Sequence, residues 1–301
     1  MQHSYVQALM TISKYILSRI GFVVCLIFFS SSAFSQCSNT SYGSGVTCVK
    51  GVGTGGSQTD LSQKDLGFFP DAGTGIIVAV YQCWDSNCAT TGTTTMTLGD
   101  NLSTTESCFV QSPRSPFTLV ETGAQHLQQY MWFCPKIPSG ITRFTVYCKA
   151  ADGVTPASSC NYITITATEW TGLTSDTANP FDTDGGAAST AQGTTATDST
   201  ARATKYTNEL IYTFFDNTQD DYACAVSPSV SVLQFYRGNI NTAYLAKLGG
   251  SIQQAQITWK STSCSGANNT PDDWYGTIAA IKTAASVASL ASPTNLKATV
   301  Q

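Results

Sequence analysis

The sequence predicts an all-β protein, a two-sheet antiparallel β-sandwich of the jelly-roll or lectin-like kind that is stabilised by disulfides. Short segments of alternating apolar and polar residues recur along the chain, whereas convincing amphipathic helices do not. Charged residues make up 11% of the chain, compared with roughly 25% in typical soluble domains. The chain also contains 11 cysteines. Disulfides and sheet hydrogen bonds therefore account for its stability better than charged helices do.

The N-terminus has the three regions of a secretory signal peptide. Lys14 and Arg19 precede an apolar run at residues 20–29, and small residues follow at 30–35. The run is about half of the ~20 residues needed to span a bilayer. We expect residues 1–35 to be cleaved and the mature protein to be secreted, extracellular or on the cell surface, without membrane insertion. An uncleaved anchor is the alternative.

The cysteine count agrees with export. Cys25 lies in the predicted signal peptide, and the ten that remain form an even set typical of a disulfide framework. Proximity in sequence favours pairs 37–48, 83–88 and 148–160, with 108–134 and 224–264 closing longer loops, but spacing leaves other connectivities open. The predicted disulfide cysteines are Cys37, Cys48, Cys83, Cys88, Cys108, Cys134, Cys148, Cys160, Cys224 and Cys264.

Charge argues against two classes of partner. The 19 acidic residues outnumber the 15 basic ones, and two of the basic residues belong to the predicted signal peptide. A mildly acidic chain without a cluster of lysine and arginine is a poor match for nucleic acid or for an anionic membrane.

The predicted strands follow one another from the first third of the chain to its end. They are residues 74–83, 93–99, 127–134, 141–149, 161–170, 208–217, 229–236, 251–260 and 272–282. Residues 171–206 are rich in Thr, Ala, Gly and Ser, which predicts a long surface loop with one short edge strand. We expect one sandwich domain at residues 36–284, and a domain boundary within residues 171–206 is the alternative.

The C-terminal segment has a different pattern. An Ala/Ser linker begins at residue 285, and Pro293, Leu296 and Ala298 then form a P-x-x-L-x-A pattern. This pattern resembles the first strand of a fibronectin type III module. We therefore expect residues 285–301 to be a linker and the truncated start of such a module.

Several motifs of the main domain together resemble a known kind of module. They are the strand "IIVAVY", the turn "GDN", the strand "IPSGITRFTVYC", the strand end "ITATEWTGL", the loop "ANPFD", the strand "TNELIYTFF" and the closing "DDWYGTIAAIK". This order is similar to that of uncharacterised secreted β-sandwich modules of bacterial surface proteins, which are often followed by fibronectin-type or immunoglobulin-like modules. The resemblance implies an architecture but no catalytic residue, and the dense cysteines of this chain depart from the pattern.

The candidate catalytic residue is Glu169. Alternation in residues 161–170 places it on the face of Ile165 and Ala167, where an apolar environment would favour the protonated carboxyl of a glycoside-hydrolase general acid. The alternative is that Glu169 accepts hydrogen bonds from loop backbone at the rim of the sandwich.

The other face of the same strand carries the predicted binding site. Tyr162 and Trp170 bracket Thr164, Thr166 and Thr168, and flat rings beside hydroxyl groups suit a sugar ring. Two further rings, Tyr130 and Trp132, share a face of their own strand and would extend this platform. The alternative is that these residues are ordinary strand formers or core.

We expect no cofactor, and bound calcium is the alternative. Asp182 and Asp184 in "DTDGG" are the candidate ligands, but the sequence lacks the D-x-D-x-D-G loop with a distal glutamate, and turn formation explains the pattern equally well. We therefore expect a non-catalytic surface or adhesion module that binds extracellular polysaccharide or another surface ligand. The alternatives are an exported polysaccharide-degrading enzyme or its accessory module, and a structural spacer of the cell envelope.

Overall fold

The computed structural model describes residues 37–54, 63–83, 95–103, 108–110, 116–118, 126–150, 152, 154–155, 163–176, 180–182, 187–200, 203–217, 222–228, 231–234, 240–246, 249–260 and 272–288. Within these residues the strands are β1 Ser38–Gly43, β2 Val46–Thr54, β3 Gln63–Gly67, β4 Gly75–Cys83, β5 Thr95–Asp100, β6 Phe109–Val110, β7 Pro116–Thr118, β8 His126–Cys134, β9 Arg143–Lys149, β10 Ile163–Thr171, β11 Ala187–Gly193, β12 Thr195–Ser199, β13 Glu209–Asn217, β14 Tyr222–Ser227, β15 Ser231–Gln234, β16 Ile240–Ala246, β17 Gln254–Lys260 and β18 Asp272–Ile281. All nine predicted strands are present, each within a few residues of its expected bounds.

The described strands form four antiparallel sheets. Sheet 1 has the order β3-β9-β5, and sheet 2 has the order β1-β2-β10-β4-β8-β6, with β7 also pairing with β8. Sheet 3 has the order β11-β18-β13-β16-β15, and sheet 4 has the order β12-β17-β14. The predicted all-β antiparallel fold is confirmed, but these residues build four sheets where the sequence predicted two.

Buried side chains connect the sheets in the order 1, 2, 3, 4. Phe144 and Val146 of sheet 1 pack with Val78 and Ile165 of sheet 2. The opposite face of sheet 2 packs on β13 and β18 of sheet 3. Phe215 of sheet 3 then packs with residues of sheet 4. Sheets 2 and 3 are therefore covered on both faces.

This layering explains the continuous apolar strands. Ile76, Val78 and Val80 of β4 face sheet 1, whereas Ile77 and Ala79 face sheet 3. A strand that is buried on both faces needs apolar residues at successive positions instead of alternate ones. The run "IIVAVY" therefore indicated a middle layer, which a two-sheet sandwich does not have.

The Thr-rich tract contains more regular structure than the sequence predicted. In place of one short edge strand, β11 pairs with β18 at the edge of sheet 3, and β12 pairs with β17 at the edge of sheet 4. An edge strand needs only backbone hydrogen bonds to one neighbour, so small polar residues suffice there.

Two of the predicted disulfides are confirmed. Cys37 is bonded to Cys48, which joins the residue before β1 to β2, and Cys108 is bonded to Cys134, which joins the residue before β6 to β8. Cys148 and Cys224 are also in disulfides. The predicted pairs 83–88, 148–160 and 224–264 remain predictions, because Cys88, Cys160 and Cys264 lie outside the described residues.

A short helix follows the last strand. Helix α1 spans Ala284–Ala288, and Thr283 caps it by accepting a hydrogen bond from the Ser286 backbone N–H at 3.0 Å. The described residues include no helix with the length and apolar content needed to cross a bilayer. The predicted signal peptide and the segment with Pro293, Leu296 and Ala298 lie outside the described residues.

Gly172 packs directly on the tight turn between β1 and β2. In this turn Ser44 and Gly45 both have positive φ, as a two-residue hairpin loop requires. Gly172 has φ +78°, and a Cβ there would overlap the carbonyl oxygen of Gly45 and lie 2.7 Å from its carbonyl carbon. Only glycine fits this close approach.

We expect Gly172→Ala to destabilise the fold more than Gly140→Ala. Gly140 also has a positive φ, +90°, but a Cβ there meets nothing within 4 Å. Its substitution should lower the free energy of unfolding by roughly 1–2 kcal/mol through backbone strain alone. Gly172→Ala should lower it by roughly 1–3 kcal/mol more because of the overlap. Urea unfolding measures both, and equal losses would contradict the packing role.

Candidate functional site

The threonines of the predicted sugar platform are buried between sheets 2 and 3. Thr164, Thr166 and Trp170 are all fully or almost fully inaccessible to solvent. Alternation did place Trp170 on the face of the threonines, but sheet 3 covers that face. In this structure these side chains cannot contact an external sugar.

These buried residues instead form a hydrogen-bonded network between the two sheets. The Trp170 Nε1–H donates to Thr168 Oγ1 at 2.8 Å, and the Thr168 hydroxyl donates to Tyr212 Oη at 3.3 Å. The Asn241 Nδ2 amide donates to Tyr212 Oη at 2.6 Å and to Thr166 Oγ1 at 3.0 Å. Burial raises the pKa of Tyr212 above its ordinary value, so the phenol remains neutral.

Tyr130 and Trp132 do not extend a platform with Trp170. The two rings stack on each other with centroids 5.2 Å apart, and they belong to the core between sheets 1 and 2. The Tyr130 hydroxyl oxygen accepts a hydrogen bond from the Met96 backbone N–H at 3.3 Å. The predicted shared surface is therefore wrong, because the rings and the threonines lie on opposite faces of sheet 2. Tyr162 lies outside the described residues.

Glu169 is buried at the end of β10 and pairs with Lys50. The distance from Lys50 Nζ to Glu169 Oε2 is 3.0 Å. A bulge in β2 aligns Lys50 with Glu169 and Cys48 with Trp170, so Val49 is the extra residue. The bulge turns Lys50 toward Glu169 while Cys48 enters the core between sheets 2 and 3.

Glu169 also holds a loop, which we call the Phe69 loop and define as residues 68–74. Glu169 Oε1 accepts a hydrogen bond from the Asp71 backbone N–H at 2.8 Å. Lys50 Nζ donates to the carbonyl oxygen of Phe69. Glu169 therefore accepts a hydrogen bond from loop backbone, which the sequence analysis gave as the alternative to a catalytic acid. Its carboxyl group is buried and has no exposed face toward a substrate.

Further backbone contacts hold both ends of the Phe69 loop. Phe68 N–H donates to Thr142 O at 3.1 Å, and Gly73 N–H donates to Ile137 O at 2.8 Å. Phe68 is buried, but the side chain of Phe69 is 67% exposed. The loop therefore presents an accessible aromatic ring on a backbone that is hydrogen-bonded along its length.

A second buried acidic site lies at one end of sheet 3. Asp182 and Glu209 are both buried, and the charge of Asp182 contributes to the electrostatic environment of Glu209. Asp182 Oδ2 accepts a hydrogen bond from the Lys205 backbone N–H at 2.6 Å. The motifs "ANPFD" and "TNELIYTFF" therefore meet in space. Sequence reasoning missed Glu209 as a site residue, and its only signal was the N-E-L motif.

Glu209 holds its proton unusually strongly. Burial is the main cause and the charge of Asp182 the second, and together they raise the pKa of Glu209 to about 8. The backbone of Tyr206 and the charge of Lys282 offset part of this effect. At neutral pH the Glu209 carboxyl is therefore protonated.

The calcium alternative gains no support from the part of the chain that the structure describes. Those residues contain no group of three or more His, Cys, Asp or Glu side chains that could hold a metal ion. One oxygen of Asp182 already accepts the Lys205 N–H, and Asp184 lies outside the described residues.

Comparison with protein-family models and with curated proteins finds no match. Among solved structures, the chain is 8% identical to a chain of the Sulfolobus turreted icosahedral virus, covering 78% of this chain and 91% of that one at a TM-score of 0.22. It is also 8% identical to PNGase F, a glycosylasparaginase from Flavobacterium meningosepticum, covering 77% of this chain and 96% of that one at a TM-score of 0.18. Similarities this low carry no argument about this protein.

We expect Asn241→Leu to destabilise the protein by roughly 1–3 kcal/mol, because it removes the amide that donates hydrogen bonds to the buried hydroxyl oxygens of Thr166 and Tyr212. Gln254→Leu is the matched control, since its amide makes a similar bond to Ser199 Oγ at an exposed position. The control should change the free energy of unfolding by no more than about 0.5 kcal/mol. Equal losses of unfolding free energy for the two variants in urea would show that the buried network does not stabilise the packing of sheet 2 on sheet 3.

Proposed function

We propose that the protein is an exported, non-catalytic binding module that contacts extracellular polysaccharide through the Phe69 loop. The observation that carries the proposal is the 67% exposed ring of Phe69 on a loop held by Lys50 and Glu169. The predicted signal peptide and the disulfides support export, because disulfides persist in oxidising compartments.

The held backbone favours binding. A partner that contacts Phe69 does not have to order this loop, so less of the interaction free energy is lost to conformational entropy. Exposed apolar side chains are common on protein surfaces, but an exposed aromatic ring on a preorganised backbone is typical of residues that dominate binding.

The chemistry around the ring suits a sugar. The CH groups of a pyranose stack on a flat aromatic face, and its hydroxyls need polar partners nearby. The same loop carries the exposed residue Asp71. Lys50, with a side chain 38% exposed, lies next to the Phe69 carbonyl. The Phe69 loop and Lys50 therefore offer an accessible aromatic face with polar groups beside it. The residues of the predicted platform cannot do so, because Thr164, Thr166 and Trp170 are buried.

The enzymatic alternative, a glycoside hydrolase with Glu169 as its acid, is less well supported. A glycosidase needs two carboxyl groups flanking an accessible sugar bond. Glu169 is buried against Lys50, and Asp182 and Glu209 are buried against each other. The second alternative, a structural spacer of the cell envelope, requires no ligand at all.

We expect Phe69→Ala to weaken binding to the polysaccharide that the wild-type protein selects from a panel by at least about tenfold. Phe69→Tyr keeps the ring and should retain the affinity within about threefold. Val154→Ala removes a comparable exposed apolar side chain elsewhere, at a residue 76% exposed, and should have no effect. Affinity electrophoresis and calorimetry measure these changes. Unchanged binding by Phe69→Ala would contradict the role of the loop, and the absence of any binding would favour the spacer.

We expect the wild-type protein to release no reducing ends from any polysaccharide that it binds, since the candidate acid Glu169 is buried and paired with Lys50. Long incubations with a reducing-sugar assay test this expectation. Turnover that Glu169→Gln abolishes would support the enzymatic alternative instead. Turnover that survives Glu169→Gln would exclude Glu169 as the general acid and would also contradict the non-catalytic proposal.

A further inference from the structure

The turn after β5 carries a second exposed apolar side chain on a held backbone. Leu102 is 59% exposed, whereas Asp100 at the end of β5 is buried. The Asp100 Oδ1 accepts hydrogen bonds from the backbone N–H groups of Leu102 at 2.6 Å and of Ser103 at 2.9 Å. The Asp100 N–H donates to the Ser103 carbonyl oxygen at 2.7 Å. A buried side chain therefore orders the backbone around Leu102, as in an Asx turn.

Thr142 joins this turn to the Phe69 loop. Its N–H donates to Asn101 Oδ1 at 2.7 Å, and its carbonyl oxygen accepts a hydrogen bond from the Phe68 N–H at 3.1 Å. The residue after Asn101 is Leu102, and the residue after Phe68 is Phe69. The two exposed apolar side chains therefore each lie one residue beyond a hydrogen bond to Thr142.

Both side chains also lie at the same end of sheet 1. Gly67, the last residue of β3, pairs with Arg143 of β9. Asp100, the last residue of β5, pairs with the next residue of β9, Phe144. Strand β9 lies between the other two strands. Neighbouring strands are ~4.8 Å apart, so the ends of β3 and β5 are separated by roughly 10 Å.

The surface between the two apolar side chains is polar, and its charges are compensated. Thr142 and Arg143 are both exposed there. The Arg143 Nη1 lies 3.7 Å from Asp65 Oδ2, and the Lys50 Nζ lies 3.0 Å from Glu169 Oε2. Each of these cations therefore has a carboxyl partner, so a ligand needs no charge of its own to match this surface.

We propose that Phe69 and Leu102 are two contact points of one site and that this site takes a stretch of a neutral, linear polysaccharide. The site, which we call the two-loop site, consists of Phe69, Leu102, Thr142 and Arg143. The inference rests on the proposed function and names the ligand class. The CH groups of successive sugar rings pack on the two apolar side chains, and the hydroxyls between them reach the hydroxyl and guanidinium groups.

The spacing of the two contacts sets the length of the ligand. A single sugar ring is about half as long as the separation of the strand ends, so a chain of about three rings is the shortest ligand that contacts both side chains. Once a ring is bound at Phe69, the rest of the chain is held near Leu102. The second contact therefore adds affinity without a second association event.

Calorimetric titration with oligosaccharides of increasing length tests the two-loop site. The oligosaccharides are prepared from the polysaccharide that the wild-type protein selects from a panel. We expect the wild-type affinity to rise at least about tenfold between one ring and about four rings and then to level off. Leu102→Ala should lower the affinity for the longer chains about three- to tenfold and leave that for a single ring unchanged. Phe69→Ala should weaken binding at every length.

Ile252→Ala is the matched control for Leu102→Ala. Ile252 is also an aliphatic side chain, 60% exposed, and it lies before β17 of sheet 4. Its substitution should leave the affinity unchanged at every length. Because both side chains are exposed, each variant should keep the wild-type unfolding midpoint in urea, which confirms that any change in affinity is local.

Salt dependence tests the charge of the ligand. Raising the salt from about 0.05 M to about 0.5 M should change the affinity by less than about twofold, because a neutral chain has no charge for the salt to screen. Loss of binding across this range would contradict a neutral polysaccharide and would assign an acidic one.

Four further outcomes would overturn the two-loop site. If Leu102→Ala behaves like Ile252→Ala while Phe69→Ala weakens binding, the second contact is wrong and the proposed function survives. If Leu102→Ala lowers the affinity equally at every length, the two side chains contact a single ring. A dimer in sedimentation that Leu102→Ala dissociates would make the surface a contact between copies of the chain. The absence of binding to every polysaccharide would contradict both the two-loop site and the proposed function.

Discussion

The structure depends on the burial of sheet 2 on both of its faces. Each side chain of β10 from Ile163 to Trp170 is buried, with the isoleucines toward sheet 1 and the threonines toward sheet 3. Burial of an apolar side chain is favourable without any specific partner. A buried hydroxyl that lacks a partner costs roughly 1–3 kcal/mol, and sheet 3 supplies Tyr212 and Asn241 as partners of Thr168 and Thr166. The hydrogen bonds thereby set how the two sheets align, whereas apolar contact alone would allow them to slide.

The same layering determines where a ligand can bind. In a stack of four sheets, the inner faces are unavailable to any partner, and only the outer faces and the loops at the rim reach solvent. Glu169 lies at the boundary between these regions, because its strand is core while its carboxyl bonds to the Asp71 backbone of the Phe69 loop. The pair of buried Glu169 and partly exposed Lys50 thus connects sheet 2 to the loop that carries an exposed ring. The loop combines accessibility with order for this reason.

The protein contains two different arrangements of a buried glutamate. Glu169 faces an ammonium group at 3.0 Å, whereas Glu209 faces another carboxyl group and is only partly compensated by Lys282. The first arrangement joins a loop to a sheet through opposite charges. The second favours the protonated carboxyl, because burial and the charge of Asp182 both raise the pKa of Glu209. Neighbouring charges, more than burial itself, distinguish the two sites.

By itself, the sequence determined the fold class and the positions of the long strands, and it favoured the disulfide between the nearby cysteines Cys37 and Cys48. These features depend on local patterns such as the alternation in β10, the apolar run of β4 and the short separation of Cys37 from Cys48. Alternation shows which side chains share a face, so Thr168 and Trp170 were grouped correctly. It does not show what covers that face, and the covering residues Tyr212 and Asn241 lie far along the chain. Only the tertiary structure decided that the predicted platform is core, that Glu169 meets Lys50 and that Asp182 meets Glu209. Each of these contacts joins residues distant in sequence, and no local pattern encodes such a meeting.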